Sequence, residues 1–240
     1  MNITKHKWSE IWNLNTSKIQ SLELIYLINN LSSCCRIVLK TTSENDLITI
    51  CYNYNLSFKS SEKVFYIKTN SYQHSTHNNS ESIKCREYYI SKKDELTLLL
   101  KKEFQNNNHF EIGELLDYPS CCITFFKRYF ALGQLNEMNF NHFINGETNS
   151  SFYLNNFLIE NDIGLLSHFP CNTNCVESER IGLERFTFLE KEFPEIAKEF
   201  KKKLRCDIYL NKKKKHFKIN DFNNPKKNYK LDNCQIINFK

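Results

Sequence analysis

Glycine and proline are scarce in this chain, with 5 and 4 among 240 residues. So few breakers exclude a collagen-like or loop-dominated chain and argue for regular elements around a packed core. The scarcity removes whole classes of chemistry as well. No G-x-G-x-x-G or Walker A run occurs, so neither a dinucleotide-binding turn nor a phosphate-cradling loop is present. There is no G-x-S-x-G elbow and no H-E-x-x-H pair. Nor is there an unbroken stretch of roughly 18 apolar residues, the length needed to span a bilayer. The first twelve residues are polar and lack the apolar core of a signal peptide. These absences lead us to expect a soluble, cytoplasmic protein with no membrane partner.

What the chain does have is rings, thiols and lysines. Aromatics make up 14% of it, with 19 Phe and 12 Tyr, enough for a ring-rich core. Ten cysteines in a reducing compartment point to metal or redox chemistry rather than to five disulfides. The net charge is +6, in a composition rich in Asn, Lys and Ile that suggests AT-rich codons, so part of the charge is compositional drift.

Periodicity predicts a helix over 17–31, with Ile19, Leu22, Ile25 and Ile28 on one broad stripe. Short β-branched or aromatic runs at 35–39, 47–52, 64–67 and 87–90 read as strands, and the Ser/Asn/His-rich 71–82 as a loop. Helical patterns return at 94–104 and 110–116, the latter ended by Pro119. Ser120 is placed to cap a helix carrying Cys121, Cys122, Phe125, Phe126, Tyr129 and Phe130. Further helices are expected over 152–159 and 175–193, with a restart at Pro194 running to 204. Two strands flank 212–215. The expected fold class is α+β: a small, mostly antiparallel sheet with an N-terminal helix, followed by a helical, cysteine-rich metal-binding domain. The expected divisions are an α+β region over 1–105, the cysteine domain over 106–205 and a basic segment over 206–240.

Two local patterns carry the chemistry. One is Tyr118-Pro119-Ser120-Cys121-Cys122, the other His168-Phe169-Pro170-Cys171-Asn-Thr-Asn-Cys175. Each sets two thiols at a helix start after a proline turn, where the dipole and unpaired N–H groups favour thiolates over thiols. Cys121, Cys122, Cys171 and Cys175 are therefore expected to form one metal site. Cys34, Cys35, Cys51, Cys85, Cys206 and Cys234 lack partners at ligand spacing and read as small buried hydrophobes.

Zinc accommodates Cys171-x3-Cys175. Adjacent Cys121 and Cys122 diverge by about 100° around a helix, which suits the separate corners of a four-iron, four-sulfur cluster better than one small ion. His168, three residues before Cys171, is the candidate fourth ligand or proton donor, and with Cys121 it is the candidate catalytic group. Glu114, Glu177 and Ser178 are candidate supports, and Arg180 lies one turn further on. A Cys–His nucleophilic pair is the weaker reading, because it leaves Cys171 and Cys175 without a role.

These residues resemble an uncharacterised prokaryotic cysteine-rich family with the pattern Leu-Gly-Tyr-Pro-x-Cys-Cys-x-x-x-Phe and then His-x-Pro-Cys-x-x-x-Cys-x-x-Ser. Leu116, Tyr118, Pro119, Cys121, Cys122 and Phe126 fit the first half; His168, Pro170, Cys171, Cys175 and Ser178 fit the second. Asp117 stands where that pattern has Gly. The resemblance implies a shared metal site over residues 110–180 and no particular reaction. In ligand style alone, the adjacent cysteines are similar to those of the iron–sulfur enzymes that reduce epoxyqueuosine in transfer RNA.

The expectation is an iron–sulfur protein whose cluster reduces a substrate or removes or transfers sulfur. The alternatives are a zinc-stabilised nucleic-acid-binding module and a metal or cluster carrier. Basic runs from Lys201 to Arg205 and from Lys212 to His216, with Lys226, Lys227 and interleaved Tyr209, Phe217, Phe222 and Tyr229, suit an anionic partner: RNA or an acidic peptide.

Overall fold

The computed structural model describes residues 8–14, 16–68, 74–75, 82–129, 149–156, 158–159, 162–211, 216–219 and 234–240. The chain divides into two compact units, Met1–Asp117 and Tyr118–Lys240.

In the first unit a short helix α1 (Ser9–Trp12) precedes α2 (Lys18–Ile28). Ser17 caps α2 by accepting the Gln20 N–H at 3.2 Å. At the other end Asn30 turns left-handed (φ 61°) and the Leu31 N–H returns to the Tyr26 carbonyl, which stops the helix. The burial is wider than a stripe: Ser21 and Glu23 are covered as well as the apolar positions, so α2 is a core helix.

Strand β1 (Cys34–Lys40) follows, and α2 packs against it. Residues 47–52, expected as a strand, instead lie inside α3 (Glu44–Asn53), which corrects that expectation. Leu47, Ile50 and Cys51 are the buried positions, an i, i+3, i+4 set, while Glu44 and Asp46 occupy the first turn. The short apolar run fitted either period, and the acids ahead of it were the deciding signal.

The sheet is completed by β2 (Ser57–Lys68), β3 (His74–Ser75) and β4 (Ser82–Ser91) in the order β1-β4-β2-β3, antiparallel throughout. Ile37 pairs with Tyr88, Phe58 with Ile90, and β2 slips register between Ser60 and Val64. Helices α4 (Asp94–Gln105) and α5 (His109–Leu115) form where expected, with α4 packed on β2 and β4. Most of the expected loop 71–82, except for its strand residues, lies outside the described residues.

Asp117 ends the unit in the left-handed region, with φ 58°. That conformation is why a glycine suits this position. Here the aspartate carboxylate accepts from the Ser33 N–H and from the Ser33 hydroxyl at 3.2 Å, a contact across 84 residues that holds the strained turn in place.

The second unit holds α6 (Ser120–Tyr129), β5 (Asn149–Ser150), α7 (Val176–Glu192), α8 (Pro194–Leu204), β6 (Asp207–Asn211), β7 (His216–Ile219) and β8 (Cys234–Phe239). Its sheet runs β5-β8-β6-β7, with only the β5–β8 edge parallel. Residues 206–240 thus supply three strands, two of them the expected pair flanking 212–215. Residues 212–215, Phe130, Phe222, Lys226, Lys227 and Tyr229 lie outside the described residues.

Of the helix expected over 152–159, the described residues show a 3-10 turn at Phe152–Leu154 and no α-helix. Phe152 meets Phe186 of α7 edge-on at 5.2 Å, and Gly182 lets α7 approach this turn. A Cβ on Gly182 would stand 2.8 Å from the Tyr153 carbonyl oxygen. The architecture is α+β, with the cysteine cluster in the helical part of the second unit. Among the described residues, no helix is long and apolar enough to cross a membrane.

Candidate metal centre

Both cysteine pairs owe their positions to local backbone chemistry. Pro119 cannot extend a preceding helix, and its carbonyl accepts the N–H groups of Cys122 and Ile123 at 2.9 Å each, which opens α6. Ser120 is the first helical residue rather than the cap, a second correction. Cys121 and Cys122 therefore fall in the first turn, Cys122 buried and Cys121 facing solvent.

The second pair sits on a loop held from several sides. The Asn156 side-chain amide donates to the His168 carbonyl at 2.7 Å, and the Ser150 hydroxyl to the Thr173 carbonyl at 2.6 Å. The Asn174 N–H returns to the Asn172 side chain at 2.8 Å, closing a small turn. Cys175, in extended conformation, is the residue on which α7 begins.

The four thiols converge. Cys121 Sγ lies 3.9 Å from Cys122 Sγ and 3.7 Å from Cys175 Sγ, and Cys122 Sγ lies 3.6 Å from Cys175 Sγ. All four sulfurs fall within 4.8 Å of one another, an arrangement positioned to bind a metal. The expected 100° divergence of Cys121 and Cys122 does not keep their sulfurs apart, because the two side chains turn toward each other from the open start of the helix.

The hydrogen bonds around the sulfurs come from the site's own backbone and from α7. The Cys171 N–H donates to Cys122 Sγ at 3.3 Å, and the Ser178 hydroxyl lies 3.2 Å from the same sulfur. His168 is the next link, its Nε2 2.8 Å from the Ser178 hydroxyl. It thus stands one residue behind Cys122, buried against the Tyr118 ring at 4.9 Å. Burial, and then the Arg185 guanidinium, push its imidazole down to about 3, so the ring is neutral at neutral pH.

Cys122, Cys171 and Cys175 titrate as a group rather than each being lowered, which corrects the simple helix-start expectation for these three. Hydrogen bonds from Cys122 and Cys171, with help from Ser178, hold Cys175 well below the ordinary thiol value. Cys171 is driven up because it shares a hydrogen with Cys122 and Cys175. Cys122 is drawn down by its Cys171 contact, yet the Cys175 contact and burial outweigh this and raise it to about 12. Among these three thiols, one thiolate is favoured; further ones repel it and need a cation to form.

The remaining candidates divide clearly. Ser178, fully buried, belongs to the centre. Glu177 and Arg180 form an exposed ion pair at 3.4 Å, and Arg180 also reaches Glu184 at 3.6 Å; Glu114 is exposed. Sequence reasoning missed Asn156, Ser150 and Tyr118 as supports. Only Tyr118 carried a signal, its place beside Pro119 in the motif. Comparison with protein-family models, with curated proteins and with solved structures gives no match, which leaves the chemistry of the centre itself as the guide to its role.

Proposed function

We propose that the four cysteines hold one zinc ion, and that the second unit is a zinc-stabilised module that binds RNA. The sulfur spacing supports this most directly. Metal–sulfur bonds of about 2.3 Å in a tetrahedron set the sulfurs about 3.8 Å apart, and the separations among Cys121, Cys122 and Cys175 run from 3.6 to 3.9 Å. In a four-iron, four-sulfur cube each thiolate binds a different iron, so the sulfurs must stand wider apart than around one ion.

Four protein thiolates also close the coordination sphere, which is the pattern of structural rather than catalytic zinc. Such an ion supplies charge neutralisation and a cross-link, here between segments 49 residues apart. Metal analysis of protein purified without oxygen tests the reading. About one zinc per chain with no labile sulfide is expected; about four iron and four sulfide would replace it with the cluster enzyme.

The partner rests on charge. The net +6 and the exposed Lys202 support it, although its neighbours are engaged: Lys203 with Glu199 at 2.7 Å, Lys201 with Glu190 at 3.9 Å, and Arg205 over the Phe152 ring at 5.1 Å. A fluorescent oligouridine should bind the zinc-loaded chain with an affinity that falls as salt rises. Absence of binding, or displacement by an acidic peptide at equal charge, would reject RNA as the partner.

A further inference from the structure

The four sulfurs of the centre are not equivalent. Cys122 faces two hydrogen-bond donors, the Cys171 amide at 3.3 Å and the Ser178 hydroxyl at 3.2 Å. Cys171 faces the Asn172 side-chain amide at 3.5 Å, and Cys175 the Ser178 backbone N–H. Cys121, the solvent-facing sulfur, has only the sulfurs of Cys122 and Cys175 as hydrogen-bond partners among the described residues.

Behind Cys122 the hydrogens can be assigned by counting. A metal-bound thiolate can only accept. If the single Ser178 O–H points at Cys122, the oxygen's lone pairs face His168, and Nε2 must carry the hydrogen of the neutral ring. The chain then reads His168 Nε2–H to Ser178 O–H to Cys122 sulfur, over 2.8 and 3.2 Å, with every member buried. The Tyr118 ring and the Asn156 amide hold His168 in place to donate.

We propose that His168 and Ser178 are positioning residues that deliver a hydrogen bond into the Cys122 thiolate, making Cys122 the anchored ligand and Cys121 the exchangeable one. The inference rests on the single-ion reading of the site. A hydrogen bond draws charge from the sulfur it reaches, so that sulfur is less nucleophilic and is held in one orientation. Cys121 has no such bond and faces water, so reagents that attack a bound thiolate enter there. With iodoacetamide, the Cys121 sulfur forms the new S–C bond while the C–I bond breaks and iodide leaves.

Cobalt(II) loaded into the full chain in place of zinc provides the test. Wild-type protein should show the intense visible bands of a tetrahedral cobalt–thiolate centre; if it does not, the single-ion reading fails before the relay is tested. With those bands present, Ser178→Ala should move the sulfur-to-cobalt charge-transfer band to lower energy and weaken cobalt binding about 10- to 100-fold. Ser178→Thr, which keeps the hydroxyl, should restore both. His168→Phe keeps a ring against Tyr118, should shift the band the same way, and still serves if Ser178→Ala does not fold. In the zinc-loaded wild type, peptide mapping after iodoacetamide should find Cys121 modified first, with Cys122 gaining modification in Ser178→Ala. A band and affinity unchanged in both variants would overturn the relay, as would Cys122 reacting as fast as Cys121 in the wild type.

Discussion

The two units use the same residue for opposite ends. In the first, Cys34, Cys35, Cys51 and Cys85 are all buried in or beside the sheet, and burial pushes the Cys34 and Cys51 thiols up to about 12. They are small apolar plugs. In the second, Cys121, Cys122, Cys171 and Cys175 are gathered at two helix starts, with N–H and O–H donors turned toward three of the sulfurs. Burial alone does not separate the groups, since Cys122 and Cys175 are as covered as Cys35. What separates them is the company of other sulfurs and of donors: a thiol among hydrocarbon stays a thiol, and a thiol among other thiols and donors is placed to bind a metal.

The sharpest way to break that comparison is to withhold or remove the proposed zinc. Structural zinc binding amounts to about 10–16 kcal/mol, comparable to the whole stability of an ordinary domain. A chelator, or Cys175→Ser, should therefore open the second unit to proteolysis while fragments of the first persist. If neither unit is cleaved, the second does not depend on its cysteines for its fold; if both are cleaved together, the dependence is not confined to the second unit.

Acid should sharpen the contrast by a smaller amount. His168 has a folded value lowered to about 3, against about 6.5 for the free side chain. Between these values the unfolded chain binds the proton and the folded chain does not, so stability is full above about 6.5 and falls as pH drops toward 3. The thiols of the first unit titrate far above this window and contribute no slope in it. Release of the proposed zinc would add to the acid loss, so the measurement is a comparison of slopes. His168→Phe should unfold with a shallower pH dependence from 6.5 downward than wild type, and an identical slope would show that His168 is not held neutral.

Much of this division was legible in the residues. Proline before Cys121 and Cys171 marked the turns, and the lack of ligand spacing around Cys34, Cys35, Cys51 and Cys85 marked the plugs. The helices at 18–28, 94–105 and 176–192 followed from apolar period, with Ser17 capping the first and Pro194 restarting the chain after the last. What was not legible depended on tertiary context. Residues 47–52 fit two periods equally; the acids Glu44 and Asp46 ahead of them were the one local sign of a helix, and packing of Leu47, Ile50 and Cys51 into one core completes it. The turn at Phe152 is shaped by the close approach of Gly182, a contact between residues about thirty apart in the chain. The 100° divergence expected of adjacent cysteines did not anticipate that their sulfurs approach to 3.9 Å, because side-chain rotation at a helix start is not visible in a spacing rule.

Alanine and serine substitutions should then rank in the first group and not in the second. In the first unit Cys51→Ala removes a small apolar volume, whereas Cys51→Ser buries a hydroxyl in place of the thiol and should cost about 1–3 kcal/mol. Alanine should be the better tolerated of the two, read as the urea midpoint, with zinc content unchanged. At Cys175 the order carries no meaning, because alanine and serine both delete a ligand. A Cys51→Ser protein that loses zinc would dissolve the distinction between the groups.

The smallest expected effect probes the outer boundary of the centre. Arg180 follows Cys175 by five residues, close enough in sequence to be a candidate support. In the structure its guanidinium is spent on Glu177 and Glu184 at 3.4 and 3.6 Å, on a face of α7 open to water. Exposed pairs of this kind contribute about 0.2–1 kcal/mol at most, and water and salt screen the charge beyond its immediate neighbours. Arg180→Gln should shift the unfolding midpoint within that range and leave zinc affinity where it was, whereas Ser178→Ala, two residues earlier and buried, should lower it. Measured by competition with a chelator at two salt concentrations, a tenfold loss of affinity in Arg180→Gln that disappears at high salt would show that the thiolate charge is balanced from the surface. The inward-facing donors would then not be the main support of the centre.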